Sequence, residues 1–592
     1  MTQGDRSFPS VVLDDATPGR EHLTRFAGFS GAVRADVSDE VPQAFAAIAR
    51  ALERGLHVAG YFSYELGTLL EPRLRSLLPA GRSVPLLWFG LFERMEPAAL
   101  EPGGRAYAGR LRHEWDAAAY ERRFARVRRY IADGDIYQAN LSFRSRFAFA
   151  GDARALYARL RAQSNAAYGA FVDDGERQIL SLSPELFFTL DAQGHLTAKP
   201  MKGTIARGAD PASDEAARAA LVASEKDRAE NLMIVDLLRN DLGRIAELGS
   251  VRVEGLFTVE TYPTLHTMVS TVRARMKKGT GVEAIVRALF PCGSVTGAPK
   301  IRAMEILSEL EASPRGLYCG AIGHFSPDGS ARFNVAIRTL TISGGEGELG
   351  IGGAVVQDSG AHSEYAECLL KARYYEAARR PLELIETLRW QPGVGFVRLE
   401  RHLERMARSA AYFGIPFDRA RLVLPEGGEE DLRVRLTLDE TGAFDATAAP
   451  LGPAQSRWTY AISRARVPSC DALARHKTNW REHLEQLAGV DETIFLNERG
   501  EVAEGSRSTV FLRRDGALLT PPLSAGILDG VLRREMLERG ECREAVLLPG
   551  DLEEGEVFFA NSLRGLIAGL SSPVFTGEVT RSAGGGLPPP PR

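Results

Sequence analysis

Lys202 lies in Ala198-Lys199-Pro200-Met201-Lys202-Gly203-Thr204, with a proline upstream and a Gly-Thr pair behind it. An amine there can act as nucleophile or base once burial or a nearby cation lowers its pKa. A solvated lysine beside a turn is the alternative. A carboxylate stands upstream in Ser183-Pro184-Glu185. Asp227 and Glu230 are three apart on a predicted helix and so share a face. Glu364 and Glu367 repeat that spacing on a later helix, with Lys371 one turn beyond. Two facing pairs of carboxylates repel unless a divalent cation lies between them. All-oxygen ligands from few protein groups suit Mg²⁺, although two solvated helix faces would show the same spacing.

These residues need a large scaffold. The chain has 592 residues, too many for one core, so two or more domains are expected. A net charge of −4 argues against a nucleic-acid partner. The five cysteines are scattered and form no CxxC pair, which fits a reducing cytoplasm without metal or disulfide framework. The N-terminus has no apolar signal core, and no apolar run is long enough for a membrane span.

The elements read as α+β. Strands are predicted over 179–183 and 186–190, and a helix over 118–131 with Tyr120, Phe124, Val127 and Ile131 on one stripe. A second helix, 224–238, is expected to bury Leu232, Val235 and Leu238. Segments 319–325, 333–342 and 349–356 read as strands of one antiparallel sheet, followed by a helix over 364–378. The pattern restarts after Pro381 with strands over 384–388 and 394–398 and a helix from His402. Domains are therefore expected over 1–380 and 382–572. The Gly/Pro-rich tail, 573–592, reads as disordered.

Five segments in order carry a resemblance. They are Ser224-Glu-Lys-Asp-Arg-Ala-Glu-Asn-Leu-Met-Ile-Val-Asp236, Ser294-Val-Thr-Gly-Ala-Pro-Lys300, Tyr318-Cys-Gly-Ala-Ile-Gly323, Phe333-Asn-Val-Ala-Ile-Arg-Thr339 and Ile351-Gly-Gly-Ala-Val-Val356. Together they resemble the chorismate-utilising enzymes over residues 115–375, and Gly60-Tyr-Phe-Ser-Tyr-Glu-Leu66 resembles the N-terminal half of such synthases. The resemblance implies two antiparallel sheets with surrounding helices. It implies Glu230 and Glu367 as Mg²⁺ ligands, with Asp227 and Glu364 in support; Asp227 is shorter than the Glu often found there. Arg338 and Tyr318 would grip the enolpyruvyl carboxylate of chorismate, an Arg fork matching a carboxylate with two hydrogen bonds. His266, Thr296 and Lys371 would belong to the substrate site. Gly352 and Gly353 would let backbone N–H groups approach substrate.

Relatives differ in nucleophile. Those that use water carry a lysine base where this chain has Gln138, an amide that cannot serve as base. The lysine in Pro200-Met201-Lys202-Gly203-Thr204 resembles the aminodeoxychorismate synthase branch. It implies that Lys202 adds at C2 of chorismate and expels the C4 hydroxyl, with Glu185 as general acid-base. Ammonia then enters at C4 and displaces the lysine. No cysteine sits in a nucleophile-elbow setting with a following His-x-Glu, so ammonia is expected from solution or a separate glutamine amidotransferase subunit.

The second half resembles fold-type IV pyridoxal-phosphate (PLP) enzymes, specifically aminodeoxychorismate lyases, with two subdomains and a possible homodimer. His402-Leu-Glu-Arg-Met406 places Arg405 on the cofactor phosphate. Glu504, in Glu501-Val-Ala-Glu-Gly-Ser-Arg-Ser508, would pair with the pyridine nitrogen. The N–H groups of Val531 and Leu532 would open a helix on the phosphate. Lys477 would carry PLP, with Arg475 as a nearby cation favouring the neutral amine, and Arg564 would lie near substrate. The usual N-terminal strands are missing, and Thr509 replaces a usual Asn. Together the halves would convert chorismate to 4-amino-4-deoxychorismate and then to 4-aminobenzoate and pyruvate. An anthranilate synthase-like first half, or an aminotransferase of different specificity as the second, is the alternative.

Overall fold

The computed structural model describes residues 9–16, 21–99, 103–164, 166–261 and 265–571; the tail predicted from 573 lies outside them. The chain divides into two compact units, Met1–Arg379 and Arg380–Arg592. Among the described residues no helix is long and apolar enough to cross a membrane.

In the first unit, 19 strands join into one hydrogen-bonded network in which the two expected sheets are continuous. Strand Gln138–Gly151 pairs with Glu346–Val355, and His57–Phe62 pairs with Ala321–Phe325, all antiparallel. Helices cover this network in two apolar cores. Helix Ala117–Ala132 buries Tyr120, Phe124 and Val127 at helical spacing and is capped by Asp116, which accepts from the Ala119 N–H at 2.7 Å.

Helix Glu225–Gly243 is capped by Ser224 and buries Asn231, Ile234, Val235, Leu238, Asp241 and Leu242. Leu232 was expected inside but is 44% exposed. Asn231 takes the inner position because Ser270 Oγ donates to its Oδ1 at 2.5 Å, satisfying its buried amide oxygen. The single strand expected over 333–342 is two, Ala331–Val335 and Thr339–Ser343. Arg338 between them has φ 50°, which no strand ladder accommodates. The helix expected over 364–378 likewise breaks at Ala372 into Ala361–Lys371 and Arg373–Ala378.

The second unit holds a four-stranded and an eight-stranded sheet. Strands Leu384–Gln391, Gly395–Val397, Leu432–Leu438 and Phe444–Pro450 form the first, packed by helix Leu399–Phe413. The second carries Val502–Gly505, Thr509–Arg514 and Glu556–Asn561, and helix Val531–Glu538 packs beside it.

Candidate active sites

Strand Met201–Ala206 pairs with Leu265–Arg275, but the register breaks between Met201 and Thr204. Such a bulge re-aims a side chain, and Lys202 lines a cavity of about 790 Å³. Gly203, inside the bulge, has φ +83°, and a Cβ added there would meet Asp227 Cγ at 2.8 Å. Both constraints demand glycine. The Lys-Gly pair is thus one device, an amine on a bulge that only glycine can close.

Glu185 follows strand Gln178–Ser183, is 3% exposed and lines the same cavity. Burial pushes its carboxyl up to about 7, against a hydrogen bond from Ser294 and the charge of Lys202. Its Oε1 has no hydrogen-bond partner among the described residues. Burial also pulls the Lys202 amine down, with Glu230 opposing and Lys371 assisting. An amine biased toward its neutral form therefore shares a cavity with a carboxyl that can give or take a proton near neutrality.

Asp227, Glu230, Glu364 and Glu367 line this cavity too. Lys226 Nζ lies 4.0 Å from Glu230 Oε1 and 4.0 Å from Glu364 Oε1, and Lys371 pairs with Glu367 at 2.9 Å. Burial pushes the Glu230 carboxyl up, and Asp227 and Glu364 add to this against Lys202 and Lys226. Burial alone would raise Glu367, but Lys371 outweighs it and holds the carboxyl low. Among the described residues no three His, Cys, Asp or Glu side chains are gathered closely enough to hold a metal; Lys226 and Lys371 stand against Glu230, Glu364 and Glu367. Tyr318 and Arg338 line the cavity, and burial lowers the Arg338 guanidinium beside Tyr374.

Other assignments change. His266 does not line the cavity; it is 1% exposed, with Nε2 3.0 Å from Asp214 Oδ1 and Nδ1 2.9 Å from Thr261 Oγ1. Thr296 is also enclosed, its hydroxyl donating to the Gly293 carbonyl at 3.1 Å. Gly352 is glycine because an added Cβ would meet Ser142 Cβ at 2.6 Å on the paired strand, and its carbonyl accepts from Lys371 Nζ at 3.0 Å. Gly353 lies behind the lining, 3.5 Å from Glu364 Oε2 as measured from an added Cβ. Sequence reasoning passed over Lys226 and Ser294, though both stand inside the motifs that located their neighbours.

The second unit has its own cavity, about 630 Å³, lined by Arg405, Lys477, Glu504, Val531, Leu532 and Arg564. Lys477 Nζ donates to Thr387 Oγ1 at 2.9 Å. Burial brings its amine down to about 7 against Glu386, with Arg405, Arg481 and Arg435 assisting. Arg475 is not among these cations; it acts instead on neighbouring His476. Arg405 donates to Glu386 through Nε at 2.8 Å and Nη2 at 2.6 Å, and to the Asp529 carbonyl at 3.1 Å. Helix Val531–Glu538 starts after Gly530 with no side-chain cap, which leaves its first N–H groups for an anion. A cation-rich cavity with a lysine, a facing glutamate and an uncapped helix start fits PLP in charge and donor type. Arg564 lines the cavity but donates to the Leu451 and Gly452 carbonyls at 2.6 and 2.9 Å, so its guanidinium is engaged.

Glu386 organises this wall. It is 1% exposed and also meets His402 Nδ1 at 2.6 Å, while His402 Nε2 lies 2.7 Å from Ser562 Oγ. Burial alone would raise its carboxyl, but Arg405 and His402 outweigh it and hold it well below the usual range. A depressed carboxyl stabilises the fold above its unfolded pKa of about 4.3 and loses that contribution as pH falls through the folded value. Glu386→Gln is expected to destabilise the second unit by about 3–5 kcal/mol at pH 7, because Arg405 stays buried without its counter-charge. In urea denaturation, the gap from wild type should narrow as pH drops below about 4.3. A gap independent of pH would contradict the assignment.

The comparisons with known proteins agree with this division. The chain matches the chorismate binding enzyme family over residues 9–376 and amino-transferase class IV over 383–571. It is 44% identical to the aminodeoxychorismate synthase of Streptomyces pristinaespiralis over 284 residues, 48% of this chain and 40% of that one. It is also 44% identical to aminodeoxychorismate synthase component 1 of Escherichia coli over 248 residues, 42% of this chain and 54% of that one. The chain thus spans about half the length of these relatives or less. The crystal structure of anthranilate synthase component I from Streptococcus pneumoniae shares the fold, with TM-score 0.50 and 24% identity over 64% of this chain and 94% of that one. An amine and a glutamate in one cavity, and a second lysine in a cation-rich cavity of its own, thus stand in a chain that belongs to the chorismate binding enzyme family and carries an amino-transferase class IV region behind it.

Proposed function

We propose that the chain makes 4-aminobenzoate in two steps, aminating chorismate in its first unit and eliminating pyruvate in its second. The observation that carries this is Lys202, an amine biased toward neutrality, in the same cavity as Glu185 with its carboxyl near 7. The Lys202 amine attacks C2, both ring double bonds shift, and the C4 hydroxyl leaves as water with a proton from Glu185, whose carboxylate then takes the proton of the added nitrogen. Ammonia then attacks C4, both double bonds shift back, and the C2–N bond breaks to release Lys202 while the new C4 nitrogen gives up its extra proton. Two displacements put nitrogen at C4; direct attack at C2 would give the ortho product. Arg338 holds a carboxylate of the substrate through paired hydrogen bonds.

Glu230 and Glu367, with Asp227 and Glu364 behind them, would hold Mg²⁺ once drawn closer together than they stand while paired with Lys226 and Lys371; its charge would neutralise the ring carboxylate. Their oxygen donors suit that ion. Glu230→Gln and Glu367→Gln are each expected to raise the Mg²⁺ concentration needed for half-maximal amination by about tenfold or more while sparing pyruvate release from supplied 4-amino-4-deoxychorismate. Unchanged Mg²⁺ dependence in both variants would return these carboxylates to ion pairing with lysine.

In the second unit Arg405 and the start of helix Val531–Glu538 would bind the PLP phosphate, and Glu504 would hold a proton at the pyridine nitrogen. Bound there, PLP draws electrons from the carbon that bears the amine. Lys477, whose amine burial brings down to about 7, takes the C4 proton as the C3–O bond breaks. Enolpyruvate gains a proton to become pyruvate, and the ring becomes aromatic. Ammonia comes from solution or from a separate glutamine amidotransferase subunit, a reading supported by the component 1 designation of the Escherichia coli relative. The free thiols of its five cysteines support a reducing cytoplasmic setting, and a homodimer through the second unit belongs to the same reading. The test is product analysis of purified protein with chorismate, an ammonium salt, Mg²⁺ and PLP. The expected product is 4-aminobenzoate; 2-aminobenzoate, or accumulated aminodeoxychorismate without the para product, would refute the reading.

A further inference from the structure

Glu504 is the only carboxylate among the described lining residues of the second cavity, which otherwise collects arginines and Lys477. Most of those arginines are engaged. Arg405 is held by Glu386, Arg481 lies 3.8 Å from Glu504, and Arg533 is paired with Glu544 at 2.5 Å. Arg507 donates to the Asp491 carbonyl, and Arg564 to two carbonyls of its own neighbourhood.

Arg433 and Arg435 differ. They stand two apart on strand Leu432–Leu438, so both leave the same face of the sheet, opposite buried Val434 and Leu436. Both are exposed and line the cavity, and neither has an ion-pair or side-chain hydrogen-bond partner among the described residues. The register sets Arg435 directly across from Thr387, whose hydroxyl accepts from Lys477. It sets Arg433 across from Arg389, which Asp431 already neutralises. Two guanidinium groups without an ion-pair partner among the described residues therefore line the cavity, Arg435 across from the threonine that holds the reactive amine and Arg433 two residues along, on a strand that is separate from the helix start facing the phosphate. Side chains two apart on a strand are spaced by about 7 Å, enough for each to receive a different carboxylate.

Resting on the reading above, we infer that Arg433 and Arg435 form a dianion subsite that selects a cyclic dicarboxylate amine over an ordinary amino acid. The product of the first step carries two carboxylates, neither on the carbon that bears its nitrogen. An amino acid carries its carboxylate next to the amine, where it cannot span two separated arginines. Each guanidinium offers a planar fork to one carboxylate. With Arg564 turned to backbone carbonyls, these two supply the anion recognition the reaction needs.

The test uses the full chain loaded with PLP and three variants, Arg433→Met, Arg435→Met and the double substitution. Both positions are exposed, so folding is checked by melting temperature and by retained cofactor absorbance. The KM for supplied 4-amino-4-deoxychorismate is expected to rise about tenfold in each single variant and about a hundredfold in the double, with a smaller change in kcat. Arg435→Lys should recover part of the loss, because it restores the charge without the fork. Isophthalate, a ring dianion without an amine, is titrated separately by its perturbation of the cofactor absorbance, with benzoate as the monoanion. Isophthalate should bind wild type and lose at least tenfold in the double variant, whereas weaker benzoate binding should change little. Isophthalate affinity unchanged in the double variant would overturn the inference whatever the turnover. Isophthalate selectivity without any turnover of aminodeoxychorismate would instead refute the lyase reading and leave the dianion subsite standing.

Discussion

Lys202→Ala is expected to lose formation of 4-aminobenzoate from chorismate and ammonia by roughly 10²-fold or more. The loss belongs to chemistry rather than folding. The side chain sits on a bulge lining the cavity, and its replacement leaves Gly203 and its contact with Asp227 in place. The ortho isomer should rise, since ammonia would then have C2 open to it. The measurement is chromatographic separation of 2- and 4-aminobenzoate after reaction of the variant, with aminodeoxychorismate supplied in a parallel sample. Pyruvate release from that sample should match wild type. Near-normal 4-aminobenzoate from chorismate would reduce Lys202 to a turn residue.

Lys477→Ala should remove the visible absorbance of bound cofactor and stop the sequence at 4-amino-4-deoxychorismate, cutting pyruvate release by roughly 10²- to 10⁴-fold. Burial brings this amine down to about 7, so its neutral form gains rapidly from pH 6 to pH 8. In wild type, cofactor loading should accelerate over that interval. Borohydride reduction followed by peptide mapping locates the modified lysine. A label on any other lysine would overturn the assignment.

The parts of this protein legible in its sequence are those set by short-range spacing. The helix carrying Glu230, the capped stripe of Tyr120, Phe124 and Val127, and the lysine in its Pro-Met-Lys-Gly-Thr setting all repeat over a few residues. What escaped depends on partners far away in the chain. The inner position of Asn231 is fixed by Ser270, 39 residues on. His266 is drawn away from the cavity by Asp214, 52 residues before it. Arg564 is turned to carbonyls 112 and 113 residues upstream. Arg338 could be named from its motif, but not the left-handed backbone that splits its strand. The clearest gain from the structure is at Arg433 and Arg435, whose two-residue spacing was open to reading but whose lack of an ion-pair partner among the described residues was not.

The bulge at Gly203 constrains how this catalyst can change over generations. The strand bearing Lys202 and the helix bearing Asp227 touch where not even a methyl group fits. A substitution at 203 would displace an acidic side chain and re-aim an amine together, although residue 203 has no side chain of its own to contribute. Drift on either element is therefore filtered through the other. A lineage that abandoned the lysine could relax this glycine, whereas one that keeps it inherits the glycine as well.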